Sequence, residues 1–479
     1  MSKEIVVDIS YSLEGTVIAN PINGEEHRLG RLHAVMPQEI SDVVNTIRSN
    51  HALHAGLKEA IEKRGERGHG LATTYGVLNA PFDYELGIEA KNISRAIREK
   101  GIEPRHIILA GIGGSELGAT AAISAAGKQS VNYYPVTSLN NDAIVGIKQA
   151  VNPRESVLLM VSRSGTTKES TTAFEVMHSY FAEHLPKTEL PSHIIQILGE
   201  DGIHAAKKKG YHTLPIVGSM SGRYTALHAA NLLTMELAGV DIDGLTEGAR
   251  AMYQRCFSVT ATRSNPALEI AAVKYILTRQ REEQYAKNIW VTSVFSPKLY
   301  KYGEWLDQLT EESLGHREDI FLTTKTAEFS NKAHSDFQNW IGGANRYLHQ
   351  FVVPLESEYA DILSGSNPEN PAETVNDIEK AAYFGIAQSL ALKDRPSFTT
   401  VTPAIDAYCM GQLMMRDMIA TVYLGEVLGL HREEKTDGIG YFNQPGVQHY
   451  KGIMNHLLGN PSALRRYVSV LGSRIEAQK

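Results

Sequence analysis

Residues 156–177 read SVLLMVSRSGTTKESTTAFEVM. An apolar run from Val157 to Val161 stops at Ser162, Arg163, Ser164, Gly165, Thr166 and Thr167, and a helical pattern follows at once. Ala173, Phe174, Met177 and Phe181 fall on one stripe of that helix. A buried strand feeding straight into an amphipathic helix is one βα unit of a parallel sheet.

The same alternation continues on both sides. HIILAG (106–111), NYYPVTS (132–138), SVLLMVS (156–162), HIIQILGE (193–200) and HTLPIV (212–217) read as strands, with helices over 116–127, 168–182 and 222–238. A second series follows: NIWVTSVF (288–295), IFLTTKT (320–326), YLHQFVVPL (347–355) and SFTTVTPAI (397–405). Its helices fall near 298–314, 334–342, 376–392 and 405–429. The expected fold is therefore α/β, two doubly wound parallel-sheet domains ending in a C-terminal helical arm. The expected boundaries are an N-terminal segment 1–65, a first domain 66–240, a helical connector 241–285, a second domain 286–435 and an arm 436–479. Residues 357–377 are polar and turn-rich, a long surface loop.

A chain of 479 residues with a charge of −7 and 21% charged residues has the composition of a globular protein without one dominant sign of charge. Nucleic acid and an acidic membrane are thus not expected as partners; a small anion responds to local fields instead. Cys256 and Cys409 are too few for a disulfide framework. MSKEIVVDISYS carries Glu4 and Asp8 where a secretion signal needs an apolar core, and MIATVYLGEVLGL is short and broken by Glu426, so a cytoplasmic location is expected.

In open α/β sheets ligands bind beyond the carboxyl ends of the strands. Ser162–Thr167 lies at such an end, and the next helix offers unpartnered amides and the positive pole of its dipole. A helix cap needs one hydroxyl; four within Ser162–Thr167 favour a pocket for a tetrahedral oxyanion, with Arg163 adding a charge-assisted contact. LAGIGGSELGAT (109–120) makes a second glycine-rich turn. A dinucleotide fingerprint started at Gly111 would need glycine where Glu116 stands, so a backbone that hugs a small ligand at Gly111, Gly113, Gly114 and Ser115 competes with a plain tight turn. In GSMSGRYTALHAANLL (218–233), Arg223 sits at an expected helix start, where a cation opposes the dipole unless an anion faces it.

KLYKYGEWLDQLTEESLGHR (298–317) ends with Glu311 and Glu312 at the negative pole of a helix. That position suits a base working near neutral pH, and it suits two exposed glutamates on a frayed turn as well. His334 in SNKAHSDFQNW is expected near a helix start, where a neutral imidazole is favoured, although most single histidines are structural. Gln444, Gln448 and Lys451 share one face of the helix after Pro445. Neither H-E-x-x-H nor carboxylates near His51 and His54 suggest a metal.

Taken in order, GIGGSELG, SRSGTT, SGRYTAL, EESLGH, AHS and FNQPGVQHYK resemble the signature segments of the phosphoglucose isomerase family in its shorter bacterial form, over roughly residues 70–460. The resemblance implies two sugar-isomerase (SIS) domains of flavodoxin-like type, a homodimer, and a cofactor-independent interconversion of glucose 6-phosphate and fructose 6-phosphate. Carried over by position, Ser115, Ser162, Arg163, Ser164 and Thr167 hold the 6-phosphate, and Gly114 and Gln444 contact the sugar. Glu312 moves the proton between carbons 2 and 1, and Arg223 stabilises the cis-enediolate. His334, supplied by the neighbouring subunit, opens the ring with Lys451. Departures from the family pattern are Arg163 for lysine, Ser221 for glycine, His316 for lysine, Asn443 for aspartate and Gln448 for glutamate. They keep two alternatives in play: the same chemistry on another C6 anion, such as sulfoquinovose to 6-deoxy-6-sulfofructose, and a non-catalytic SIS-type sensor of sugar phosphates.

Overall fold

The computed structural model describes residues 3–30, 33–63, 75–216, 221–257, 265–279, 285–318, 320, 322–365, 368–430, 440–442 and 444–476. The chain opens with β1 (Val6–Asp8) and an antiparallel ladder of β2 (Val17–Ala19) and β3 (Glu26–Arg28). It then lays down β4 (His106–Ala110), β5 (Asn132–Pro135), β6 (Ser156–Ser162), β7 (Ile194–Leu198) and β8 (His212–Pro215). After a helical stretch come β9 (Ile289–Val294), β10 (Thr323–Glu328), β11 (Tyr347–Pro354) and β12 (Ser397–Thr402).

The first sheet has the order β5-β4-β6-β7-β8 and is parallel throughout. Every residue of β6 is buried, which is why it reads as a continuous apolar run rather than an alternating one. The period of two still governs the faces. Leu159 and Val161 join one core with Leu109 and Ile197, while Leu158 and Met160 join another with Ile108 and Leu198. The Lys168–His184 helix lays Ala173, Phe174, Met177 and Phe181 on the second of these, the stripe that its period predicts. Strand order reverses between β4 and β6, so the turns after Ala110 and after Ser162 open side by side at the switch point.

The second sheet, β1-β12-β11-β9-β10, is the doubly wound partner that the second strand series predicts, with one addition. β1 pairs antiparallel with β12, Val6 opposite Val401. A three-residue strand whose partner lies so far along the chain leaves no local signal in the sequence.

Between the sheets, the Ile242–Phe257 helix crosses the Ala407–Val427 helix with backbones in contact. A Cβ on Gly248 would stand 1.9 Å from the Tyr408 carbonyl, and one on Gly411 equally close to that of Leu245. The Ala407–Val427 helix is buried along almost its whole length, the core helix that the sequence predicts. Among the described residues no helix is long and apolar enough to cross a membrane.

Two helix starts differ from expectation. Residues 222–238 are not one helix: Gly222–Tyr224 is a single 3-10 turn and the α-helix begins at Ala229. Tertiary partners take over the backbone there. The Asn231 amide donates to the Thr225 carbonyl at 2.8 Å and accepts from the Ala119 amide at 3.0 Å. Arg223 therefore lies on a buried turn and not at a helix N-terminus. The helix expected near 334–342 begins at Phe329, which places His334 in its second turn.

Candidate active site

The turn after β6 is built from its own hydroxyls. Ser162 Oγ accepts from the Gly165 amide at 3.1 Å, and Ser164 Oγ accepts from the Thr166 amide at 3.2 Å and the Thr166 hydroxyl at 3.0 Å. Gly165 has φ +65°, the left-handed region that favours glycine. Thr167 is the N-cap of the Lys168–His184 helix, yet its side chain makes no capping bond to the helix's first amides. Arg163 is exposed, and its carbonyl accepts from the Gly199 amide at 3.1 Å, which fixes the backbone that carries it.

The glycine-rich turn after β4 serves a different contact first. A Cβ on Gly114 would stand 2.0 Å from the Gly222 carbonyl carbon and 2.3 Å from the Arg223 amide nitrogen. Its close approach is thus to the strand of chain that positions Arg223, and Thr225 Oγ1 ties the two turns at 3.3 Å to the Gly114 carbonyl. Ser115, half-buried, ends the 3-10 turn Gly113–Ser115 beside them.

The next residue, Glu116, is 5% exposed and accepts from Thr120 Oγ1 at 2.5 Å. Burial lifts its carboxyl from 4.5 to about 7, with Lys301 pulling the other way and Glu304 adding to the rise. The folded protein therefore keeps a proton that the unfolded chain releases near pH 4.5. The stability that this group contributes is complete below that value and is lost as pH rises through about 7. Glu116→Gln is expected to raise the melting temperature at pH 8 and to leave it nearly unchanged at pH 4; equal shifts at both would remove the protonated Glu116.

Arg223 is 1% exposed and its guanidinium is the hub of the site. Nε donates to Ser313 Oγ at 2.6 Å, Nη1 to Ser221 Oγ at 2.6 Å and to Gln444 Oε1 at 3.1 Å, and Nη2 to the Tyr441 carbonyl at 2.7 Å. Burial pulls its pKa down, against Tyr224 and Glu312, which favour the charged form. Nη1 also lies 3.5 Å from Glu312 Oε1. The other oxygen, Oε2, accepts from Gln308 Nε2 at 2.9 Å, one turn back on the Tyr300–Leu314 helix. One carboxylate is thus oriented from two sides, partly open at 21% exposure, beside a fixed cation.

The structure separates the two candidate glutamates. Glu311 is exposed and its Oε1 accepts from the Thr324 amide at 2.6 Å and from the hydroxyls of Thr323 and Thr324. It fastens the start of β10; Glu312 faces Arg223. Gln444 stands at the N-cap position of the Pro445–Gly459 helix and joins the cluster through Arg223. Lys451, half-buried on that helix, and His334, exposed on the Phe329–Gly342 helix, make no hydrogen bond or ion pair among the described residues. Within one chain, then, Arg223, Glu312 and Gln444 converge, whereas His334 stands apart. Asn443 and the Gln448 side chain lie outside the described residues.

Three contributors escaped the sequence reading. Gln308 had a signal, its place four residues before Glu312. Ser313 looked like any helical serine, and the Tyr441 carbonyl has no sequence signature. Among the described residues no group of His, Cys, Asp and Glu could hold a metal ion.

Residues 94–347 match the family model described as phosphoglucose isomerase. The chain is 26% identical over 431 residues to the glucose-6-phosphate isomerase of Caldanaerobacter subterraneus subsp. tengcongensis, covering 85% of this chain and 91% of that protein. It is 28% identical over 422 residues to that of Listeria monocytogenes serotype 4b, covering 81% and 87%. In fold it is similar to a hypothetical protein from Thermus thermophilus, with a TM-score of 0.75 at 22% identity over 95% of this chain and 100% of that one. The glucose-6-phosphate isomerase of Chlamydia trachomatis gives a TM-score of 0.69 at 19% identity over 81% and 77%.

Proposed function

This chain belongs to the phosphoglucose isomerase family, and on that premise we propose that it isomerises glucose 6-phosphate and fructose 6-phosphate without a cofactor, through a cis-enediolate. The observation that carries the reading is the Glu312 carboxylate, 3.5 Å from a fully buried guanidinium and aligned by Gln308. An aldose–ketose isomerase needs one base reaching two adjacent carbons and a cation for the oxyanion that forms between them. Glu312 takes the proton from carbon 2 and returns it to carbon 1, and Arg223 stabilises the enediolate. The turn of Ser162, Arg163, Ser164 and Thr167, with Ser115 beside it, holds the anionic tail; Gln444 and Gly114 line the sugar's end. Binding energy from that remote clamp orients the reacting carbons.

His334 and Lys451 open the ring, His334 reaching the site of a second copy in a homodimer. This part rests on the family pattern, with support from His334's exposed place and from the arm. Ile453, Leu458, Tyr467 and Val468 are exposed along the Pro445–Gly459 and Pro461–Glu476 helices, an apolar face suited to a partner copy.

Arg163 in place of lysine presents a planar fork to the substrate's tail rather than a point charge. Incubating the protein with glucose 6-phosphate and, separately, with sulfoquinovose, and measuring ketose formation, tests the assignment. Turnover of the phosphate is expected; turnover of the sulfonate alone would change the substrate, and none of either would leave a sensor. Arg163→Ala is expected to raise KM for glucose 6-phosphate about tenfold with kcat within about twofold, the loss of one charge-assisted contact. An unchanged KM would remove Arg163 from the clamp.

A further inference from the structure

At the C-terminal ends of the Pro266–Thr278, Tyr300–Leu314 and Ala407–Val427 helices lies a cavity of about 540 Å³, apart from the clamp at Ser162–Thr167. Arg279, Arg317 and Arg346 line it, and among the described residues no carboxylate does. Each helix end supplies about half a negative charge, less than the guanidiniums bring. Arg279 is held in place, its Nη1 donating to Tyr275 Oη at 3.0 Å and its guanidinium 5.3 Å from that ring. Arg346 makes no side-chain hydrogen bond or ion pair among the described residues. Like charges gathered this way suit an anion of more than one charge.

The rest of the lining narrows the ligand. Tyr275 and Tyr285 give the cavity aromatic walls. We propose that this cavity is a regulatory site for a nucleoside di- or triphosphate, its phosphates on the arginines and its base against the tyrosines. Two links join the cavity to the site. Arg317 follows the helix of Glu312. Leu428 closes the helix of Glu426, which accepts from Tyr441 Oη at 2.6 Å, and the Tyr441 carbonyl holds Arg223. Binding there does not depend on the isomerase reading, whereas an effect on turnover rests on it.

Calorimetric titration of ATP into the full chain, with fructose 6-phosphate saturating the clamp, tests this. One ATP per chain is expected, with Kd raised about tenfold or more by Arg279→Gln combined with Arg346→Gln and unchanged by Arg163→Ala. Arg279 and Arg346 are exposed, so the double variant keeps the fold, which its melting temperature checks. No binding, or affinity that only Arg163→Ala alters, overturns the site. Tripolyphosphate binding as tightly as ATP overturns the nucleoside assignment. Kd altered as expected with kcat and KM for the sugar unaffected by ATP overturns the regulatory role alone.

Discussion

Glu312→Gln is expected to lower kcat by about 1,000-fold or more while leaving the affinity for glucose 6-phosphate within a few-fold and the melting temperature within a few degrees. Gln keeps the size of the side chain and one carbonyl oxygen for Arg223 or Gln308. What it loses is the lone pair that accepts the proton. Because the carboxylate is only partly buried and the clamp lies on another element, neither fold nor tail binding should change much. Steady-state kinetics beside a binding titration check this; more than a few per cent of residual turnover would take the proton transfer away from Glu312.

Arg223→Ala is expected to cost somewhat less in rate and far more in stability. The guanidinium donates to Ser221, Ser313, Gln444 and the Tyr441 carbonyl, so its removal orphans acceptors on separate parts of the chain. Each buried orphan costs about 1–3 kcal/mol, and an overall loss of about 2–4 kcal/mol is expected after relaxation. Loss of one oxyanion donor costs about 100- to 1,000-fold in kcat. Arg223→Lys separates the effects: it keeps the charge but cannot fork to both Ser313 and the Tyr441 carbonyl. Kinetics and denaturant unfolding of both variants should show kcat recovering more than stability does. Equal recovery of the two would make Arg223 a purely structural hub.

Much of this was legible in the sequence because periodicity reports burial. β6 reads as a continuous apolar run because it is covered on both faces, and the stripe Ala173, Phe174, Met177 and Phe181 because one helix face is. What stayed hidden depends on chain segments meeting. The turn at Arg223 has the local composition of a helix, yet contacts from Gly114 and Asn231 break it. Nothing local separates Glu311 from Glu312; only the threonines of β10 on one side and Arg223 on the other do. β1 lacks a signal because it is short and its partner is remote. The turn at Ser162–Thr167 was legible since its hydroxyls and glycine act within a few residues of one another.

The most direct measurement follows the proton itself. With glucose 6-phosphate turned over in D₂O and followed by proton NMR, a single carboxylate working between two carbons should place solvent deuterium at carbon 1 of the ketose in those turnovers where it exchanges its proton before delivery. Glu312→Gln should stop that incorporation together with conversion. Conversion or deuterium incorporation by Glu312→Gln at the native rate would contradict a Glu312-mediated transfer.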